Sequence, residues 1–326
     1  MKQNEKLLLT SFIFTIFVVW LHAGEPLLSY VPGQVAVPGF FMLSGYLFMK
    51  GIPSGDAAAE KEAVRGKLKR RVNTLVIPYL LWNAIYFVIY LVTGRAQIGE
   101  IFEAVFLYRC NPVFWYMFQL ILITVLAPVI YYIMKKGRAA ALILLAAIFT
   151  LAVLYAKLPF HYCNEDALFY YCLGGYLMLR GTYGDGGTLH DALPPARGFI
   201  ISAAATAAFL LVRGVLPAEL RNISEVGYRA AGALAVYFLV ELVYEKKGGI
   251  EVRPWMKVNF FVYATHYMII RIIWALETAA GLNGNQTANV ITYLVMPAIC
   301  IGTAYGLSVI MKKYVPKVYS VLTGGR

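Results

Sequence analysis

Charge is what this sequence has least of. Asp, Glu, Lys and Arg make up 14% of its 326 residues, against about a quarter in soluble domains. Sixty per cent of the residues are hydrophobic. So much apolar surface cannot be hidden in one water-soluble core, so the bilayer is part of the solvent. Acidic residues are the scarcer sign, 17 against 29 basic ones, leaving a net charge of +12. Such an excess invites a nucleic-acid partner. The basic residues, however, sit in short links between apolar segments and not on a soluble face, which excludes that partner. There is no Gly-rich phosphate loop, HExxH or GxSxG motif, and no CxxC or Cys/His spacing that suggests a metal. No internal repeat is visible, which argues against a transporter built from duplicated halves. Four cysteines are present. Cys172 and Cys300 fall in apolar segments and read as packing residues. Cys110 and Cys163 fall in links read as external, where a disulfide and two free thiols fit equally.

What is there is a series of apolar segments near 7–23, 34–50, 73–93, 112–134, 139–156, 166–180, 197–213, 228–244, 258–276 and 288–312. Most approach the roughly 20 residues that a span needs. The expectation is an all-α integral membrane protein of ten spans, one domain over 1–326, with aromatic residues at 15% forming interfacial belts. Leu21-His22-Ala23 is a poor cleavage site and further spans follow, so the first segment reads as a retained helix and not a signal peptide. One alternating set of links holds 22 Lys and Arg, the other five, which predicts both termini in the cytoplasm. The longest link, 51–72, reads as a basic cytoplasmic helix leading into Val72 to Tyr79.

Several polar residues stand where they are costly. His22, near the outer end of the first span, is either a general base or an interfacial helix cap. His266 lies about 12 Å into the ninth span, and is either functional or an interhelical hydrogen-bonder. Arg271, five residues on, faces a cavity or snorkels outward. Counting residues from the cytoplasmic ends puts His22 level with Arg271, roughly 20 Å up, and predicts one shared outer cavity. Lys67, Lys69, Arg70 and Arg71 suit phosphates, or topogenic and anionic-lipid contacts. Ser44 and Tyr46 either line a cavity or, with Gly45, mark a close helix contact. Glu241 reads as reaching water at the cytoplasmic end of its span. His161 and His190 lie in links and carry no pattern.

An ordered set of motifs resembles the acyltransferase-3 family of membrane O-acyltransferases. It comprises Val18-Val19-Trp20-Leu21-His22, Pro38-Gly-Phe-Phe-Met-Leu-Ser-Gly-Tyr-Leu47, and a basic stretch into Ile77-Pro78-Tyr79-Leu80-Leu81-Trp82. Phe114-Trp115-Tyr116, Leu173-Gly174-Gly175-Tyr176-Leu177 and Phe260 to His266 follow. The resemblance implies ten spans in the cell membrane. It also implies transfer of an acetyl or other short acyl group from acyl-CoA, such as acetyl-CoA, to a hydroxyl of a surface glycan or lipid-linked sugar precursor. No bound cofactor is implied. His22 matches the family's proposed catalytic histidine, with Ser44, Tyr46, Lys69, Arg70, Arg71, Trp115, His266 and Arg271 as candidates around the substrates. Two departures stand out. Ser11 occupies the position where the pattern has an Arg eleven residues before the histidine, and Phe118-Gln119 replaces an Arg-Asp pair of some relatives. Lys6, Lys69, Arg70 and Arg71 are the candidates to supply the missing charge. A flippase of lipid-linked intermediates and a catalytically silent relative are the competing readings.

Overall fold

Every apolar run predicted as a span falls on helix over its described residues in the computed structural model, which describes residues 2–24, 26–154, 165–183, 193–217, 220–282 and 284–325. The helices are α1 (Lys2–His22), α2 (Pro26–Met49), α3 (Ala57–Arg71), α4 (Ile77–Val92), α5 (Ile101–Phe106), α6 (Trp115–Lys135), α7 (Arg138–Leu154) and α8 (Glu165–Tyr183). They continue as α9 (Pro195–Val215), α10 (Arg221–Lys246), α11 (Asn259–Ala279), α12 (Gln286–Tyr314) and α13 (Pro316–Thr323). No strand occurs among the described residues. Among the described residues, eight helical stretches, with α3 and α4 counted as one continuous stretch, are long and apolar enough to cross a membrane. Ile200, Ile201, Leu211 and Val215 on α9, and Val125 and Val129 on α6, are each more than half exposed. Apolar bands of this kind on long helices suit hydrocarbon and not water. The chain is an all-α multi-pass membrane protein.

The third span starts differently from its sequence limit. The basic helix α3 runs into α4 through a π-helical turn over Val72–Val76, where the Ile77 amide donates to the Val72 carbonyl, five residues back. Pro78 explains the turn. It has no amide proton and its ring crowds the preceding turn, so the helix cannot keep its regular ladder there.

The chain divides into two compact units, and α1, α2, α3 and α6 each contribute to both. The first comprises Met1–Phe14, Gln34–Arg65 and Ile123–Val252. Its tightest crossing is α2 against α8. A Cβ on Gly45 would overlap the Tyr171 carbonyl, and one on Gly174 would overlap that of Met42. The Ser44-Gly45 break and the Gly174-Gly175 pair are therefore the two sides of one backbone contact, as small residues permit between membrane helices. Gly45→Ala and Gly174→Ala should each cost about 1–3 kcal/mol or more by overpacking, seen as a lower melting temperature of the purified protein. Gly302→Ala, which meets nothing within 4 Å, should leave it unchanged.

In the same unit α9 and α10 form a hairpin. Arg213 pairs with Glu225 at 3.0 Å, and Arg229 with Glu225 and Asp166 at 3.2 Å each, tying α8 to the hairpin. Glu60 on α3 is buried and bridges to Lys135 at the end of α6. Glu241 does not reach water as its position in the sequence suggested. Its side chain is 1% exposed and pairs with Lys6 at 3.2 Å, while the Tyr237 hydroxyl donates to the same oxygen at 2.8 Å. Residue counting placed Glu241 near a helix end, but α10 extends beyond it to Lys246 and α1 covers it.

The second unit comprises Thr15–Gly33, Gly66–Leu122 and Arg253–Arg326. Here α4 packs on α11 through Trp82 against Phe261, ring centroids 5.7 Å apart, and through the Tyr86 hydroxyl, which donates to the Ala264 carbonyl at 3.1 Å. The terminal helix α13 closes on α4, its Leu322 carbonyl accepting from the Trp82 indole at 3.0 Å. Trp20 of α1 stacks on Tyr293 of α12. The polar residues with most chemical promise are gathered in this unit.

Candidate active site

His22 is the last residue of α1. The chain leaves the helix at once, because Gly24 takes the left-handed conformation at φ +102 and lies against Trp274 of α11, with room for little more than a hydrogen. His22 therefore sits half-buried at a helix end. Its ring centroid is 5.3 Å from that of His266, the planes tilted by 42°.

His266 is held from the other side. It lies in the second turn of α11, fully buried, with Nδ1 2.7 Å from the Tyr263 carbonyl oxygen. A carbonyl only accepts, so Nδ1 carries the proton and Nε2 keeps the lone pair. That Nε2 is buried and makes no hydrogen bond.

Tyr263 in turn is locked by the start of α6. Its hydroxyl donates to the Val113 carbonyl at 2.6 Å, its ring stacks on Phe114 at 5.4 Å, and Tyr116 meets it edge-on at 5.8 Å. The Phe114-Trp115-Tyr116 motif thus supports the helix turn that carries His266, while Trp115 itself is half-buried. Tyr79 extends the aromatic stack to α4, its ring 6.0 Å from Phe114.

The site joins His22 to His266. Equal residue counts had put His22 level with Arg271, five residues, or about 7 Å, further along the helix. Arg271 is exposed, with its guanidinium 5.8 Å from the Tyr267 ring on its own helix and one nitrogen 3.5 Å from that residue's hydroxyl.

Ser44 and Tyr46, both half-buried, belong to the first unit and stand at the α2–α8 crossing. Lys69 and Arg70 are exposed and Arg71 half-buried in the last turn of α3. They lie some fifteen residues, or roughly 20 Å, along the α3–α4 axis from Tyr86. Lys6 is ion-paired with Glu241. Ser11 turns its hydroxyl back to the Leu8 carbonyl. Burial, with the neighbouring Glu100 carboxylate, pushes the Cys110 thiol up. Cys163, His161 and His190 lie outside the described residues.

Sequence reasoning missed Asn111. It is fully buried, and neither carboxamide atom has a hydrogen-bond partner. An Asn directly before Pro112 reads as an ordinary helix cap, yet its side chain caps nothing. Asn83, equally buried, lies one turn before Tyr86 on the face of α4 that meets α11.

Residues 12–311 of the chain match a family model described as an acyltransferase domain. The chain is also 23% identical over 320 residues to Succinoglycan biosynthesis protein ExoH of Rhizobium meliloti (strain 1021), an alignment covering 90% of this chain and 80% of that protein. No solved structure matches the chain.

Proposed function

Because the chain belongs to the acyltransferase-3 family, whose model spans nearly all of it, we propose that it carries a short acyl group from acyl-CoA to a sugar hydroxyl. The observation that carries this reading is His22, half-buried at a helix end with an oriented imidazole behind it. The acceptor class, a glycan or its lipid-linked precursor, follows the relative named for succinoglycan biosynthesis. The membrane is the cell membrane, with both termini cytoplasmic on the distribution of basic links.

In this reading His22 takes the proton of the acceptor hydroxyl as its oxygen attacks the thioester carbonyl. The tetrahedral intermediate expels the CoA thiolate, and the proton on His22 passes to that sulfur. The products are the sugar ester and free CoA. The donor enters from the cytoplasm, where Lys69, Arg70 and Arg71 meet its phosphates by charge complementarity. The roughly 20 Å from that basic turn to the level of Tyr86 suits an extended pantetheine arm. Replacing all three basic residues by Ala should raise KM for acyl-CoA about tenfold or more, with a smaller change in kcat, measured at fixed ionic strength.

The test of the reading is direct. Membranes carrying the chain are given radiolabelled acetyl-CoA or succinyl-CoA, and free CoA and label on lipid-linked or surface glycan are followed. Label appearing on the glycan with matching CoA release supports acyl transfer. Flipping of lipid-linked sugar with no CoA released from either donor points instead to a transporter.

A further inference from the structure

We infer that His266 is a positioning residue for His22, its Nε2 accepting a hydrogen bond from one ring nitrogen of His22 and so fixing which nitrogen faces the acceptor hydroxyl. This deepens the acyl-transfer reading and rests on it. A buried acceptor with no partner is costly, and the His266 Nε2 is one. The Nδ1–H bond to Tyr263 opposes both ways of relieving it: moving the proton to Nε2 would set the Nδ1 lone pair against the carbonyl oxygen, and a ring flip would replace the N–H by Cδ2–H and lose the bond. Tyr263 is itself fixed by Val113 and Phe114, so the lone pair is held in one direction.

The aromatic neighbours of His266 are Tyr263, whose hydroxyl is committed to Val113, and His22. Of these two rings, His22 is the one that can offer an N–H. The two rings make no hydrogen bond with each other, as is common for catalytic pairs that tighten when substrate arrives. His22 stands at a helix end, half-buried, where a turn of its ring edge brings the bond into range.

The consequence is a division of labour. One His22 nitrogen, as N–H, points at His266; the other, with its lone pair, faces the hydroxyl. When the hydroxyl proton arrives, His22 becomes an imidazolium and its bond to Nε2 becomes charge-assisted. The interaction is thus stronger in the transition state than in the ground state, which is the condition for raising kcat. A neutral imidazole here does the orienting work that a carboxylate does in serine-hydrolase triads.

The experiment uses the whole chain in lipid nanodiscs, as wild type, His266→Phe and His266→Gln. Phe fills the space without an acceptor; Gln keeps one. His266→Phe should lose about 10²-fold or more in kcat with KM for acyl-CoA within threefold, while His266→Gln should stay within about tenfold of wild type. In parallel, ¹⁵N-histidine spectra, with the His22 signals assigned by their loss in His22→Gln, report the tautomer without any turnover. His22 should show one tautomer in wild type and His266→Gln, and a mixture in His266→Phe. Full kcat in His266→Phe, equal losses in both variants, or an unchanged His22 tautomer in His266→Phe each overturn the inference. A wild type that transfers nothing overturns the acyl-transfer reading alone, since the tautomer experiment still decides the pairing.

Discussion

His22→Ala should lower the rate of acyl transfer by about 10²–10⁴-fold, the usual contribution of a positioned general base. The effect is expected in kcat and not in KM for acyl-CoA, because the imidazole acts on the acceptor hydroxyl while the phosphates are held elsewhere. It should also be nearly silent in stability. His22 is half-buried at the end of its helix, so truncation leaves no deep cavity, and the His266 Nε2 beside it is already unpaired. Measured together, the melting temperature and the initial rate of CoA release separate chemistry from folding. A variant that melts like wild type and releases CoA at the wild-type rate would remove His22 from the mechanism and reopen the choice of base.

The second large effect concerns folding. Lys6 and Glu241 form a buried pair, with side-chain exposures of 12% and 1%. Removing one partner of such a pair typically costs about 3–5 kcal/mol, because a charge stays behind without compensation. Lys6→Met should be the worse of the two single changes, since the charge it leaves behind, on Glu241, is the more deeply buried of the two. In Glu241→Gln, Lys6 retains the more exposed Glu245 at 3.9 Å and the Tyr244 ring at 5.6 Å. The double change Lys6→Met with Glu241→Leu should recover most of the loss, because an apolar pair of similar volume needs no compensation. Thermal unfolding in detergent gives all three values. A double variant no better than Lys6→Met would show that the pair is not the source of the loss.

The helices were legible in the sequence because lipid imposes a simple rule: a long apolar run must satisfy its own backbone, and only a helix does so. The orientation of Ser44-Gly45 and Gly174-Gly175 was half legible. Ser44-Gly45 read as either a cavity lining or a close contact, Gly174-Gly175 only as part of a motif, and nothing in the chain said that α2 and α8 were each other's partners. His22 was found through its motif, and His266 through the expense of placing an imidazole within a span. Their pairing was not, since residue counts fix depth only when helix ends lie level. Glu241 was misjudged for the same reason: its nearness to a helix end says nothing about what lies across from it. Asn111 was hidden because a cap and an idle buried carboxamide have the same sequence, and the difference appears only when hydrogen bonds are counted.

The bond between Lys6 and Glu241 also sets a clock. The two residues are 235 positions apart in the chain. At a synthesis rate of about 5–20 residues per second, Lys6 waits roughly 10–50 s after leaving the ribosome before its counter-ion exists. During that interval the first helix carries an unmatched ammonium, and its own apolar run and the flexible lysine stem must hold it at the membrane edge. The first residues of the chain reach their final environment only when α10 arrives, which makes the N-terminal helix among the first to enter the bilayer and among the last to settle.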